Sequence, residues 1–286
     1  MKAKHYLISS SISIVAILLF TFCTSNPIDD GDIAQRNRKV SGKVVLGDEN
    51  VLEGIFVWLE GIDISSRTDE SGNFTLTLPP PGNQSAGGGL DGVFNLYYYV
   101  ANYGLKKSVV VIQDGEFQYS RADLNKDGEI LQPVNLEKFL NIETEVTPDE
   151  VAVNAGQRIG ATVRLSSVSD SVSVVFPNSF GGFLGAIFLR NVENREQVFI
   201  IEGPPSQLKD QVLVTSDGHS RTLVFDLVRN PIPAGSYEVI PYLLVAHEDV
   251  PDELIESLGN KVKDLTPNYL DIPFRREVAI LKVGAN

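Results

Sequence analysis

Two-residue alternation of apolar and polar positions runs along nearly the whole chain. In one stretch it becomes a run that is apolar on both sides. Ile55, Val57 and Leu59 face one way in an extended segment, and Phe56 and Trp58 face the other, which predicts a strand covered on both faces. Val40 to Leu46 precedes it as a short β-branched strand. Phe74, Leu76 and Leu78 follow, alternating with Thr75 and Thr77, until Pro79-Pro80-Pro81 ends the strand. In between, Thr68-Asp69-Glu70-Ser71-Gly72-Asn73 predicts a hairpin turn: Asp69 caps backbone N–H groups and Gly72 accepts a positive φ. Pro81 to Gly92 predicts a long mobile loop. Phe94 to Val100 returns to strand, with Leu96, Tyr98 and Val100 opposite Tyr97 and Tyr99. Ser108–Ile112 and Glu116–Tyr119 are then joined at Asp114-Gly115. These make about seven strands by residue 140, enough for a closed sandwich.

From Asn141 the pattern restarts. Thr144 to Val153 holds two extended pieces around Thr147-Pro148. Ile159, Ala161, Val163 and Leu165 form one face, and Val172, Val174 and Phe176 another. Ala186–Leu189, Val198–Ile201, Val212–Val214, Leu223/Phe225/Leu227, Tyr237–Val245 and Glu277–Val283 follow with Pro and Gly between them. This spacing predicts a second, immunoglobulin-like sandwich, with Gly235-Ser236-Tyr237 suited to a sandwich corner. A helical period occurs once: Pro251 opens it, Leu254, Ile255 and Leu258 make its stripe, and Gly259 ends it.

The motifs Gly42-Lys43-Val44, Leu52-Glu53-Gly54-Ile55-Phe56-Val57 and Thr68-Asp69-Glu70-Ser71-Gly72-Asn73-Phe74-Thr75-Leu76 occur in order. Together they resemble the carboxypeptidase regulatory-like domain. That resemblance implies a transthyretin-like sandwich of the kind found in bacterial surface proteins, and no catalytic residues. Val163-Arg164-Leu165, Ser169-Asp170-Ser171, Phe176 and Gly235-Ser236-Tyr237 are weakly similar to the bacillar intracellular proteinase inhibitor domain. The expected fold class is therefore all-β: two tandem β-sandwiches, transthyretin-like over 40–140 and immunoglobulin-like over 141–286, with one short helical insertion.

The N-terminus carries a different signal. Lys2 and Lys4 precede an apolar run from Ile12 to Phe22 that ends at Cys23, the single cysteine of the chain. The run is shorter than the roughly 20 residues of a membrane span. It reads as a lipoprotein signal peptide over residues 1–22, with Cys23 as the lipidation site and residues 23–39 as a flexible tether. Phe22 stands where signal peptidase prefers a small side chain, so an uncleaved N-terminal anchor is the alternative. Either way the expected location is the cell envelope, with the membrane as a partner. A net charge of −13 over 286 residues excludes nucleic acid as a partner, because phosphate binding needs clustered Lys and Arg.

Candidate chemistry is sparse. Asp123, Asn125, Asp127 and Glu129 sit where the first half of a calcium loop places its oxygens, with Gly128 at its sixth position. Val134 occupies the twelfth, where a bidentate Glu belongs, so either calcium or a plain Asx-rich turn fits. Ser216-Asp217-Gly218-His219-Ser220 reads as a hairpin turn rather than a triad. His247-Glu248-Asp249 has side chains able to ligate a metal, but reads rather as the cap and charged start of the helix. Trp58 and Tyr97-Tyr98-Tyr99 are candidates for a sugar-stacking platform. The expected function is a non-enzymatic binding, adhesion or assembly module with an envelope-protein or glycan partner. A carbohydrate-binding accessory lipoprotein of a polysaccharide-uptake system is the alternative, and a hydrolase comes behind both.

Overall fold

The computed structural model describes residues 37–47, 49–179, 181–204, 208–247 and 249–284. The signal segment, Cys23 and the tether as far as residue 36 lie outside the described residues. From Asn37 onward the chain clusters as one unit, and its cores follow the alternation read above.

The first half contains strands β1 (Lys39–Leu46), β2 (Phe56–Leu59), β3 (Ile64–Arg67), β4 (Asn73–Thr77), β5 (Gly92–Tyr99), β6 (Lys106–Gln113), β7 (Glu116–Phe117) and β8 (Val134–Leu136). They form two sheets, β4-β1-β8 and β3-β2-β5-β6-β7. Val40 and Val44 of β1, Phe74 and Leu76 of β4, Val57 and Leu59 of β2 and Leu96 and Tyr98 of β5 close the core between them. At Asp114-Gly115 both residues have positive φ, 51° and 77°. Gln113 pairs with Glu116 across this two-residue hairpin.

The second half contains β9 (Leu140–Thr147), β10 (Glu150–Ala152), β11 (Ile159–Ser167), β12 (Val172–Pro177), β13 (Ala186–Asn191), β14 (Val198–Glu202), β15 (Lys209–Val214), β16 (His219–Phe225), β17 (Gly235–Pro241), β18 (Leu244–Val245) and β19 (Ala279–Gly284). The sheet β10-β19-β17-β13-β14 packs over β16-β11-β9 and β15-β12-β18. Tyr237 makes the corner expected of it, donating its hydroxyl to the carbonyl of Pro233 at 2.9 Å. Helix α1 (Asp252–Ser257) lies between β18 and β19 and buries Leu254 and Ile255.

Three local expectations fail for a common reason. The Asp69 turn has the predicted chemistry: its Oδ1 accepts from Ser71 N and Asn73 N at 2.9 and 2.8 Å, and Gly72 has φ +80°. It is not a hairpin, however. β3 pairs with β2 and β4 with β1, so the turn carries the chain from one sheet to the other. A Cβ on Gly72 would lie 2.2 Å from the carbonyl oxygen of Val44, which leaves room for no other residue. The Ser216–Gly218 turn likewise links β15, paired with β12, to β16, paired with β11. The expected strand Tyr237–Val245 breaks at Tyr242-Leu243, where the chain leaves β13 and joins β12. Turn chemistry is local, whereas the choice of sheet depends on which distant strand covers the apolar face. The Pro81–Gly92 loop is also pinned rather than free-hanging. Gln84 is buried and donates its amide to the carbonyls of Pro79 and Gly115, both at 2.8 Å, while accepting from Leu90 N.

A third core joins the halves. Phe56 and Trp58 of β2 and Tyr97 and Tyr99 of β5 turn away from the first sandwich. They pack with Phe188, Ile240 and Tyr242 on the outer face of the second sandwich, and with α1 and Tyr269. Phe188 and Tyr269 stack at 5.1 Å and 9°. Polar clips surround this layer. Arg67 donates to the carbonyls of Asp271 and Gly54, and Arg275 to those of Val51 and Glu53. Asn102 holds both the N–H and the carbonyl of Arg275.

Candidate functional site

Two of the calcium-loop side-chain oxygens, on Asp123 and Asn125, accept from backbone N–H groups. Asp123 Oδ2 accepts from Val109 N at 2.6 Å, which ties it to β6. Asn125 Oδ1 accepts from Asp127 N and Glu129 N at 2.8 and 2.9 Å, and its amide donates to Glu129 Oε2 at 3.0 Å. This is an Asx turn closed on itself. Gly128 is required there, because a Cβ would meet the Tyr119 ring at 2.4 Å. Among the described residues, no group of three or more His, Cys, Asp or Glu side chains is placed to hold a metal ion.

The aromatic platform is not a surface. Trp58, Tyr97, Tyr98 and Tyr99 are all buried, Trp58 with 4% exposure. Trp58 and Tyr97 are tilted at 30° with centroids 5.8 Å apart. Alternation sends Tyr98 into the first core and the other three into the layer between the halves. Burial, with the hydroxyls away from water, pushes the Tyr98 and Tyr99 phenols up.

His247 does not cap the helix, and α1 carries no side-chain cap at all. Its ring lies between Tyr99 and Phe139, at 5.9 and 5.1 Å. Its Nε2 sits 2.6 Å from the carbonyl oxygen of Ala101 in the first half. A carbonyl can only accept, so Nε2 carries the proton and Nδ1 is the free acceptor of the neutral ring. Burial lowers its pKa, opposed by the Ala101 bond and by Asp249. The ring borders an apolar cleft of about 290 Å³ walled by Tyr99, Ala101, Leu244, Ile255 and Phe274, with Asp252 and Lys263 at its rim. Among the described residues no Ser, Thr or Cys lines this cleft, and its walls are mainly apolar.

His219 lies in a second depression with Ser216, Asp217, Ser220 and Arg164. Its Nε2 accepts from Arg221 Nε at 3.1 Å, so that nitrogen cannot serve as a base. Burial and the adjacent guanidinium both lower its pKa. Arg221 is the organising residue here. It is nearly fully buried, lies over the Phe176 ring at 4.4 Å, donates to Ser179 Oγ at 2.6 Å and pairs with Asp210. The two-residue period places Arg221 on the inward face with Leu223 and Phe225, a signal available in the sequence. The convergence of Asp63, on the β2–β3 turn, with Glu253 and Glu256 of α1 had no such local signal.

No protein-family model matches the chain, and no curated protein does. Among solved structures, BcpA, the major pilin subunit of Bacillus cereus, aligns over 71% of this chain and 63% of its own, at 9% identity and a TM-score of 0.25. A type II cohesin–X-dockerin complex of Acetivibrio cellulolyticus aligns over 36% of this chain at 17% identity and a TM-score of 0.24. The chain spans 58% of that cohesin–dockerin chain. The Bacillus anthracis TIE protein aligns over 74% of this chain and 31% of its own, at 11% identity and a TM-score of 0.22. Similarity this slight carries no argument about role, and the all-β sandwich assignment stands on the strand pairing itself.

Proposed function

We propose that this protein is a non-catalytic binding or assembly module of the cell envelope, held to the membrane through a lipid on Cys23. The observation that carries this reading is the engagement of both described histidines. Arg221 donates to His219 Nε2 and takes up that nitrogen's lone pair, and His247 donates to the Ala101 carbonyl beside a cleft with mainly apolar walls. The resemblance of the first half to carboxypeptidase regulatory-like domains, and the leader ending at Cys23, agree with it. The sugar-platform alternative loses its aromatics to the layer between the halves.

Metabolic labelling with an alkyne palmitate tests the anchor. Wild type should carry label and sediment with membranes, and Cys23→Ser should lose both. Label-free protein that still sediments would instead point to an uncleaved N-terminal anchor. Photo-crosslinking in intact cells tests the module: discrete adducts are expected, and their absence at every exposed position would overturn the binding role.

A further inference from the structure

The apolar cleft beside His247 contains two polar groups that the chain itself leaves unanswered. It opens where the halves meet: Tyr99 and Ala101 come from the first, Leu244 from the second and Ile255 from α1. Tyr99 is only 4% exposed. Other buried tyrosines of this layer spend their hydroxyls on the chain, Tyr242 on the Lys263 carbonyl and Tyr269 on that of Leu243. Among the described residues the Tyr99 hydroxyl has no such partner. Nor is it sealed: the side-chain atoms cut off both from solvent and from any partner are Trp58 Nε1, Thr144 Oγ1, Thr266 Oγ1 and Arg276 Nη1. The Tyr99 hydroxyl therefore keeps accessible surface. Tyr99 borders this cleft, and neither the His219 depression nor the space beside Asp63. A buried polar group without a partner in the chain calls for one from outside it.

His247 supplies the second group. Its Nε2 is committed to Ala101, and its Nδ1 is likewise neither bonded nor sealed. The Tyr99 and His247 rings stand 5.9 Å apart at 67°, which puts both on one wall. Burial raises the Tyr99 phenol, so it stays protonated and can donate, and lowers His247, so Nδ1 stays an acceptor. A hydroxyl is the smallest group that accepts from the one and donates to the other.

The charged groups around the cleft are Asp252 and Lys263, with Asp249 beside His247. Asp252 and Lys263 pair with each other at 3.5 Å on the exposed rim, and Asp249 is exposed as well. A charged head group reaching Tyr99 would give up its hydration with no free counter-charge at that depth. Water could bridge the two polar groups, but it would leave the apolar walls wet.

We propose that this cleft binds a small neutral amphiphile, an apolar body with one hydroxyl that accepts from Tyr99 and donates to His247 Nδ1. The volume of about 290 Å³ stands at the lower end of ligand cavities, and the junction of two domains is a common place for them. The inference goes beyond the envelope-module reading and stands without it, because the site needs neither a lipid on Cys23 nor a protein partner.

Full-length protein in lipid nanodiscs is irradiated with 1-hexanol carrying a diazirine near its methyl end, and adducts are mapped by peptide mass spectrometry. Adducts should fall on Leu244, Ile255 or Phe274 and be competed saturably by 1-hexanol. Pentyl methyl ether, an isomer of hexanol without a donor, should compete at least tenfold more weakly, as should hexylammonium and hexanoate. Tyr99→Phe removes only the partnerless hydroxyl. It should weaken competition by 1-hexanol at least fivefold with Tm at or above that of wild type. Labelling that is not competed, or that falls only elsewhere, would overturn the site. Equal competition by the ether would overturn the hydroxyl, and equal competition by either ion the neutral head group. Unchanged competition in Tyr99→Phe would overturn the placement of that head group beside Tyr99.

Discussion

The two faces of the β2–β5 pair are built from adjacent residues and do different work. Val57, Leu59, Leu96 and Tyr98 face a core that is mostly aliphatic and belongs to one sandwich. Phe56, Trp58, Tyr97 and Tyr99 face a layer made with the other half, rich in aromatic rings whose hydroxyls reach backbone carbonyls. Aromatics bring large apolar area together with a polar edge. That combination suits a seam which must bury a wide surface yet close against loops carrying free carbonyls. One face closes a sandwich, and the other joins the two sandwiches within one unit.

The largest expected effect separates these roles. Phe188→Ala removes a fully buried ring from the seam and should cost about 3–5 kcal/mol. Denaturant unfolding followed by circular dichroism should then split into two transitions, whereas a single shifted transition would mean that seam and cores are not separable. Leu59→Ala, in the inner core, should cost about 2–5 kcal/mol and lower the midpoint without creating a second step. Arg275→Ala removes donors to Val51 and Glu53 at the rim of the seam. It should cost about 1–2 kcal/mol, seen as faster proteolysis between β8 and β9 with both cores intact.

The smallest effect is pH-dependent. Burial holds the folded-state pKa of His247 below its ordinary value, so the unfolded chain binds the proton more tightly. The stability tied to the neutral ring is therefore complete above about pH 6.5. It is lost as pH falls from there through the depressed folded value. Tm measured at falling pH should drop less in His247→Gln than in wild type. Equal slopes would mean that the ring is not held neutral between Tyr99 and Phe139.

Much of the fold was legible because alternation is a short-range property. The inward and outward sets of β2, β5, β11 and β16, the Asp114-Gly115 hairpin, the Tyr237 corner and α1 all follow from residues within a few positions of one another. The candidate sites were harder to read. His247 looks like a helix cap in sequence, because nothing nearby announces that Ala101 and Phe139 will enclose it. The Asp123–Glu129 oxygens have the spacing of a cation loop, but the backbone N–H groups of Val109, Asp127 and Glu129 take up two of them.

By itself, then, the sequence determined which side chains share a face, where the chain turns and how charged its surface is. All of these depend on the fixed two-residue period of an extended backbone and on the local demands of Gly, Pro and Asx residues. Only the tertiary structure decided which sheet receives the strand after each turn, and what covers the second apolar face of β2. It also decided which carboxylates meet beside Trp58. Those outcomes depend on pairing and burial between residues far apart in the chain, where no local period reaches.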